Sequence, residues 1–264
     1  MFDIVIPVGP KDFNLQSLQL EYTRKNIIGY RNIYIILDLN IIKKLNKESI
    51  KARFPNGKEE NIIYIDENIF PFNKQTISLY HKKYNKDRNG WYLQQLIKLY
   101  SGIFIPGILE KYLVIDTDTF FLKPTSFINN GKCLYSYGKE YHKPYFSHMK
   151  KLYSDFDKVY IDKSGICHHM IFETVYIKEL FEKVETVHKK EFWVLFLLFS
   201  DLPDPSSASE YEIYFNYMFK YHKDKVEIRE LQWKNVGDIK NIKNNENNEN
   251  NENNDFVSYH WYMR

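Results

Sequence analysis

Short apolar runs, spaced by segments with helical periodicity, constrain this chain more than any other feature. Asp3 to Val8, Asn32 to Leu37, Ile62 to Ile65 and Tyr112 to Ile115 are nearly unbroken stretches of apolar side chains. That is the pattern of strands buried on both faces. Between them, Leu15, Leu18 and Tyr22 recur at spacings of three and four, and Leu93, Leu96, Ile97 and Tyr100 form a second such stripe over Trp91 to Tyr100. Lys43 to Glu60 is polar and predicts a short helix. The β-α-β alternation predicts an α/β fold: one Rossmann-like domain, its sheet mixed but mainly parallel, with helices on both faces.

The second half is less regular. Cys133 to Tyr137 and Gly165 to Glu173 read as strands, and Lys139 to Lys163 as a loop-and-helix insertion. Ile177, Leu180, Phe181 and Val184 mark one helix, Phe192 to Phe199 another. The break Asp201-Leu202-Pro203-Asp204-Pro205 precedes a helix over Ser206 to Tyr221. Asn244 to Asn254 repeats an Asn-Asn-Glu unit with nothing apolar to bury, so residues 240–254 are expected to form a disordered loop. The aromatic, strand-like Phe256 to Tyr262 lies beyond it. An ordered segment after such a spacer must be held by the sheet or by a site.

Composition excludes some classes. A net charge of +3 and scattered lysines give no basis for nucleic-acid binding. Two cysteines, Cys133 and Cys167, without metal spacing fit a reduced, intracellular protein. The start lacks the pattern of a signal peptide, and the longest apolar run, Phe192 to Phe199, is far short of a membrane span. A cytoplasmic location is the expectation. That run is expected to be a buried helix; a membrane-surface contact is the alternative, because Lys189 and Lys190 precede it.

Asp116-Thr117-Asp118 closes the run Tyr112-Leu113-Val114-Ile115. Two carboxylates thus stand at a strand end, where open α/β sheets bind ligands. Mg²⁺ and Mn²⁺ take oxygen ligands and are usually shared with substrate phosphates, so this is a fitting holder for a metal–diphosphate. The alternative is an Asp-rich turn bonded to its own backbone. Phe120-Phe121-Leu122 resumes the apolar pattern at once, which leaves little room for one. In the preceding helix Trp91, Gln94, Gln95 and Lys98 fall opposite the apolar stripe. They form either a solvated face or a pocket border, where Gln and Lys would bond hydroxyls and phosphates and Trp would stack on a ring.

Taken in order, Ile4-Val5-Ile6-Pro7-Val8, Gly90-Trp91-Tyr92-Leu93-Gln94-Gln95, Tyr112 to Thr119, His168-His169-Met170 and Ser209-Glu210-Tyr211-Glu212 resemble a family of nucleotide-sugar glycosyltransferases. These are of the GT-A class and carry a domain-of-unknown-function label, DUF6492. The resemblance spans roughly residues 2–222 and the aromatic tail. It implies a GT-A-like domain over 1–264, with a nucleotide-binding half (1–125), an acceptor half (126–235) and a tail (255–264) over the site.

The resemblance further implies a hexosyltransferase-like enzyme of the Asp-x-Asp type. It would use a UDP- or GDP-sugar donor and a hydroxyl acceptor on a glycan or protein. Ile6, Pro7 and Val8 would hold the base, and Trp91, Gln94, Gln95, Lys98 and Asp116 would line the donor site. Asp118, with Asp116 and His260, would hold Mn²⁺ or Mg²⁺; a true His260 ligand favours manganese. The metal would neutralise charge developing on the leaving diphosphate. An inverting enzyme also needs a carboxylate base, for which Glu210 and Glu212 are candidates. Ser209 to Glu212 equally fits a capping box. His168 and His169 are candidates for acceptor contacts, or for structural roles.

Two other classes remain. Asp116-x-Asp118-x-Thr119 also matches haloacid-dehalogenase-type phosphatases, in which the first Asp is a nucleophile. That class carries the motif on its first strand and needs a later acidic pair, whereas Gly237-Asp238 has no acidic residue close behind. A non-catalytic sugar-nucleotide or glycan binder on the same fold is the third class.

Overall fold

The apolar runs of the first half become strands of one sheet whose order places the first strand in the middle. The computed structural model describes residues 1–38, 40–41, 62–81, 88–200, 203–204, 206–238, 242, 253–260 and 263. In chain order these give Phe2–Pro7 (β1), Gln16–Asn26 (α1), Ile27–Ile28 (β2), Tyr30–Leu37 (β3), Ile62–Asp66 (β4), Lys74–Tyr80 (α2), Asn89–Phe104 (α3) and Lys111–Ile115 (β5). There follow Thr119–Phe121 (β6), Thr125–Ser126 (β7), Ile128–Asn129 (β8), Lys132–Tyr135 (β9), Lys143–Leu152 (α4), His169–Glu173 (β10), Thr174–His188 (α5) and Phe192–Ser200 (α6). The chain continues through Glu210–Tyr221 (α7), Val226–Ile228 (β11), Trp233–Asn235 (β12) and Phe256–Ser258 (β13).

The main sheet has the order β10-β5-β1-β3-β4. β1 pairs in parallel with both β3 and β5, β3 pairs in parallel with β4, and β10 runs antiparallel to β5. The α/β class and the mainly parallel, mixed sheet are therefore as the sequence implies. Ile4, Val5 and Ile6 of β1 and Leu113, Val114 and Ile115 of β5 have no exposed surface, so both faces are covered. After β1 the chain builds outward through β3 and β4, then returns to place β5 on the other side of β1. Such a reversal opens a crevice at the carboxyl ends of the two strands. Pro7 and Asp116 stand there, and the Thr117 hydroxyl donates to the Pro7 carbonyl across it (2.7 Å).

Helix α3 packs on β1 and β5. Its fit depends on Gly102, where an added Cβ would come within 2.6 Å of Tyr112 Cε1 and also clash with Thr174 Oγ1. Alanine favours a helix by roughly 1 kcal/mol over glycine, but overpacking costs about 1–3 kcal/mol. Tyr112 is fully buried and its hydroxyl donates to the Lys98 and Leu99 carbonyls, so it has little room to yield. We expect Gly102→Ala to lower unfolding free energy by about 1–2 kcal/mol in urea titrations. A neutral or stabilising result would mean that α3 shifts to accept the methyl.

Several boundaries differ from the sequence expectation. Helix α7 begins at Glu210 rather than Ser206, because Ser209 is extended and caps it, its hydroxyl accepting from Glu212 N. The second-half strands are shorter: β9 stops at Tyr135, and β10 starts at His169 rather than Gly165. His168, just before it, takes a left-handed conformation (φ 64°). Phe192–Ser200 is mostly buried, Leu198 being its exposed apolar residue, and no helix among the described residues is long and apolar enough to cross a membrane. The expected helix within Lys43 to Glu60, and the repeat up to residue 252, lie outside the described residues.

The tail is already a strand. β13 pairs antiparallel with β6 and parallel with β12, and Phe256 and Val257 are fully buried. The segment is integral to a three-stranded sheet of order β12-β13-β6. Strand structure ends at Ser258; Trp261 and Tyr262 lie outside the described residues.

Candidate functional site

Asp116 follows β5 directly, and three elements converge on it. Its Oδ1 accepts from Lys98 Nζ of α3 (2.6 Å) and from the Tyr211 hydroxyl of α7 (2.9 Å). His168 Nδ1 lies 3.6 Å from Oδ2, and the Asp116 amide donates to the His168 carbonyl. Lys98 also reaches Glu210 Oε1 (2.7 Å) and sits 4.3 Å from the centre of the Tyr211 ring. Gln95 accepts from the Glu210 amide, which ties α3 to the first turn of α7.

The face of α3 opposite its apolar stripe is thus not solvated. Gln95 and Lys98 are buried, while Trp91 and Gln94 keep intermediate exposure. Gln94 approaches the loop after β1: a Cβ on Gly9 would lie 3.0 Å from its Nε2. Ile6, Pro7 and Val8 are buried at that same strand end. Trp91 instead packs on Tyr92 and carries the Arg88 guanidinium 4.4 Å above its ring.

Burial alone would raise the Asp116 pKa, but the Lys98 charge and the contacts from His168 and Lys98 outweigh it and hold the carboxyl well below the usual range. For Lys98, burial pulls down while Asp116 and Glu210 pull up harder, so the ammonium keeps its proton. Glu210 differs: burial, with Asp116 adding to it, raises its pKa despite Lys98. Asp116 keeps 22% side-chain exposure and Glu210 only 4%, so the former is open to solvent and the latter is closed off.

Contrary to the expectation that the apolar run leaves little room for one, Asp116 to Thr119 is a turn, closed by a backbone bond from Thr119 N to Asp116 O (2.9 Å). Turn and site are one object here: the turn aims Asp118 at the tail strand. The Asp118 carbonyl accepts from Tyr259 N (2.8 Å), and its Oδ1 lies 3.5 Å from Ser258 Oγ. This pairing carries His260 beside His168, ring centres 5.4 Å apart, with Trp233 of β12 5.3 Å from His168.

Two proposed residues point elsewhere. The ring of His169 packs against Phe121, Phe127 and Phe256, at 4.9–5.4 Å between centres. Both its nitrogens lack hydrogen-bond partners among the described residues, and burial lowers its pKa to about 3. It is a neutral core residue rather than an acceptor contact, because successive residues entering a strand face opposite sides. Glu212 accepts from Ser164 Oγ (2.5 Å) and Asn216 Nδ2 (2.8 Å). Two helical positions are about 200° apart, so Glu210 and Glu212 do not share a face. The capping box is therefore one-sided: Ser209 caps, but the Glu212 carboxylate goes to Ser164 and Asn216.

Residues 22–248 match the profile of a family of unknown function, DUF6492. The chain belongs to that family. No curated protein matches this DUF6492 member. Among solved structures it is similar over its full length to mouse xyloside xylosyltransferase 1 in its apo form, at 9% identity and a TM-score of 0.49, covering 99% of that chain.

The donor set of the DUF6492 member fits a divalent ion only in part. Among the described residues no three His, Cys, Asp or Glu side chains meet in a way that would hold one. Asp116 is engaged by Lys98 and Tyr211. Asp118 lies just before β6 and His260 two residues past β13, an oxygen and a nitrogen donor on adjoining segments. Two carboxylates, Asp116 and Glu210, share one ammonium, Lys98, so this cluster keeps a net negative charge, which attracts a cation and repels a bare diphosphate. Tyr211 and Trp233 are the site residues that residue-type reasoning passes over. Tyr211 lies inside a quoted motif, but nothing in its spacing tells that its hydroxyl reaches Asp116. Trp233 has no sequence signal.

Proposed function

We propose that this chain is a metal-dependent glycosyltransferase, moving a sugar from a nucleoside-diphosphate sugar to a hydroxyl of a glycan or protein acceptor. The observation that carries this is the placement of Asp116-Thr117-Asp118 at the β1/β5 crevice, with the Asp118 carbonyl bonded to Tyr259 N of the tail and His260, the next residue, packed on His168. The sequence resemblance to sugar-nucleotide transferases supports the same reading.

Asp118 and His260 would hold Mn²⁺ or Mg²⁺ with the diphosphate, and the ion when bound supplies neutralisation of the leaving phosphate. Asp116, kept ionised and fixed by Lys98 and Tyr211, offers an acceptor to donor hydroxyls, and the β1 end with Gln94 shapes the nucleotide side. Glu210 is nearly closed off by its pair with Lys98, so in this reading it positions Lys98 rather than taking the acceptor's proton. His168, packed on Trp233, would contact the acceptor.

The test is turnover of UDP- and GDP-sugars with Mn²⁺ and with EDTA, beside a phosphomonoester. Metal-dependent release of nucleoside diphosphate supports the transferase; cleavage of the monoester alone supports the phosphatase; saturable donor binding without turnover supports a binding protein. Deleting the tail would remove a core strand, so the sharper probe is one side chain. His260→Ala should weaken Mn²⁺-dependent nucleotide binding roughly tenfold with little change in melting temperature. Unchanged affinity by calorimetry would remove His260 from the site.

A further inference from the structure

Lys111 opens β5, Glu173 closes the antiparallel β10 opposite it, and Cys133 lies on β9. Their side chains meet at the end of the sheet away from Asp116. Lys111 Nζ donates to Glu173 Oε2 (2.5 Å) and lies 3.5 Å from Cys133 Sγ, which itself donates to Glu173 Oε1 (3.3 Å). One carboxylate thus clamps an amine and a thiol in van der Waals contact. Cys133 has no exposed surface, but Lys111 keeps 26% of its side chain exposed, so the cluster opens to solvent through the lysine. The Tyr135 hydroxyl, two residues on along the same face of β9, is buried and unpartnered among the described residues.

We propose that Lys111 and Cys133 form a covalent sulfur–nitrogen cross-link when the protein meets a hydroperoxide. The thiol sulfur attacks the peroxide and the O–O bond breaks. Cysteine is oxidised by two electrons to a sulfenic acid, and the other peroxide oxygen leaves as water. The Tyr135 hydroxyl offers the new sulfur-bound oxygen a donor. A sulfenic acid condenses with a thiol or a nitrogen within reach, and here that group is Lys111 Nζ. The nitrogen lone pair attacks sulfur, the S–O bond breaks, and hydroxide leaves as water with one ammonium proton. The second proton passes through Glu173 to solvent. Burial pushes the Cys133 thiol up to about 12, so the reaction is slow and answers sustained peroxide. Cys167 has no such amine among the described residues; its sulfur contacts the Gly165 and His169 carbonyls. The link joins β5 to β9 and closes the chain between them, so it should stabilise as a disulfide does. The inference does not depend on the sugar-transfer reading, because none of these groups belongs to the Asp116 site.

The test exposes the whole protein to millimolar hydrogen peroxide for hours and maps its tryptic peptides by mass spectrometry. The peptides carrying Lys111 and Cys133 should appear joined, about 2 Da below their summed mass, and dithiothreitol should part them. The treated protein should melt a few degrees higher, and the rise should vanish with the reductant. Lys111→Arg keeps a cation for Glu173 but removes the nucleophile, and Cys133→Ser removes the sulfur, so each should lose the joined peptide. Cys167→Ser should keep it. Cys133 left as a free thiol, or oxidised to sulfinic acid with no joined peptide, would overturn the proposal. So would a joined peptide that survives Lys111→Arg, or one that disappears with Cys167→Ser and is therefore a disulfide.

Discussion

Asp118→Asn should lose metal-dependent binding of nucleoside diphosphate and lower turnover by about two to three orders of magnitude, with a melting temperature within a few degrees of wild type. The substitution keeps the shape and removes one charge. The structural work of this residue is done by its carbonyl, which accepts from Tyr259 N, and asparagine retains it. Its side chain sits on a turn, with intermediate exposure, 3.5 Å from Ser258 Oγ. Asp116→Asn is the contrast. It weakens the anchor of a buried ammonium and loosens the joint of α3, β5 and α7, so it should cost a few kcal/mol of stability as well as activity. Calorimetry with Mn²⁺ and UDP or GDP, beside thermal melts, separates the two. If Asp118→Asn binds metal and nucleotide like wild type, the Asp-x-Asp does not serve a metal–diphosphate.

The two aspartates look alike in the sequence and differ in the molecule for reasons of distance along the chain. The strand and its terminal carboxylates are local features, an apolar run with two acidic residues at its end. So are the stripe of α3 and the Ser209 cap. The partners of Asp116 are not local. Lys98 is 18 positions before it in the numbering, Tyr211 and Glu210 come from a helix beyond an irregular stretch, and only the sheet order brings them together. A face rich in Gln and Lys reads equally as solvated or buried until something covers it; here α7 does. His168 and His169 show the same limit. Their identity is equal, and the left-handed turn at His168 decides which ring meets Asp116 and which enters the core. The tail is the converse case: its aromatic composition signals that it must be held, and β6 and β12 hold it.

Lys98→Met should be the most destabilising single change in the site. Methionine fills a similar volume, so the loss isolates the charge. It leaves Asp116 and Glu210 buried together without their shared cation, and stranding one side of a buried pair costs about 3–5 kcal/mol. The pH dependence supplies the sharper test. In wild type the Asp116 pKa is depressed, so its contribution is full above the unfolded value near about 4 and fades only in strong acid. Glu210 is raised, so its ionisation opposes folding at neutral pH. Without Lys98, burial and mutual repulsion act on both carboxylates, and both should bind protons more tightly folded than unfolded. The variant should therefore gain stability as pH falls from 7 to 5, by up to roughly 1.4 kcal/mol per unit for each proton taken up. Adding Glu210→Gln should recover part of the loss at pH 7, since one stranded charge is gone. Urea titrations at the two pH values measure all of this. A Lys98→Met protein as stable as wild type at pH 7, with no gain at pH 5, would mean that Lys98 does not pair with these carboxylates. Asp116 would then stand open as a second metal ligand, and the division of labour between the two aspartates would have to be redrawn.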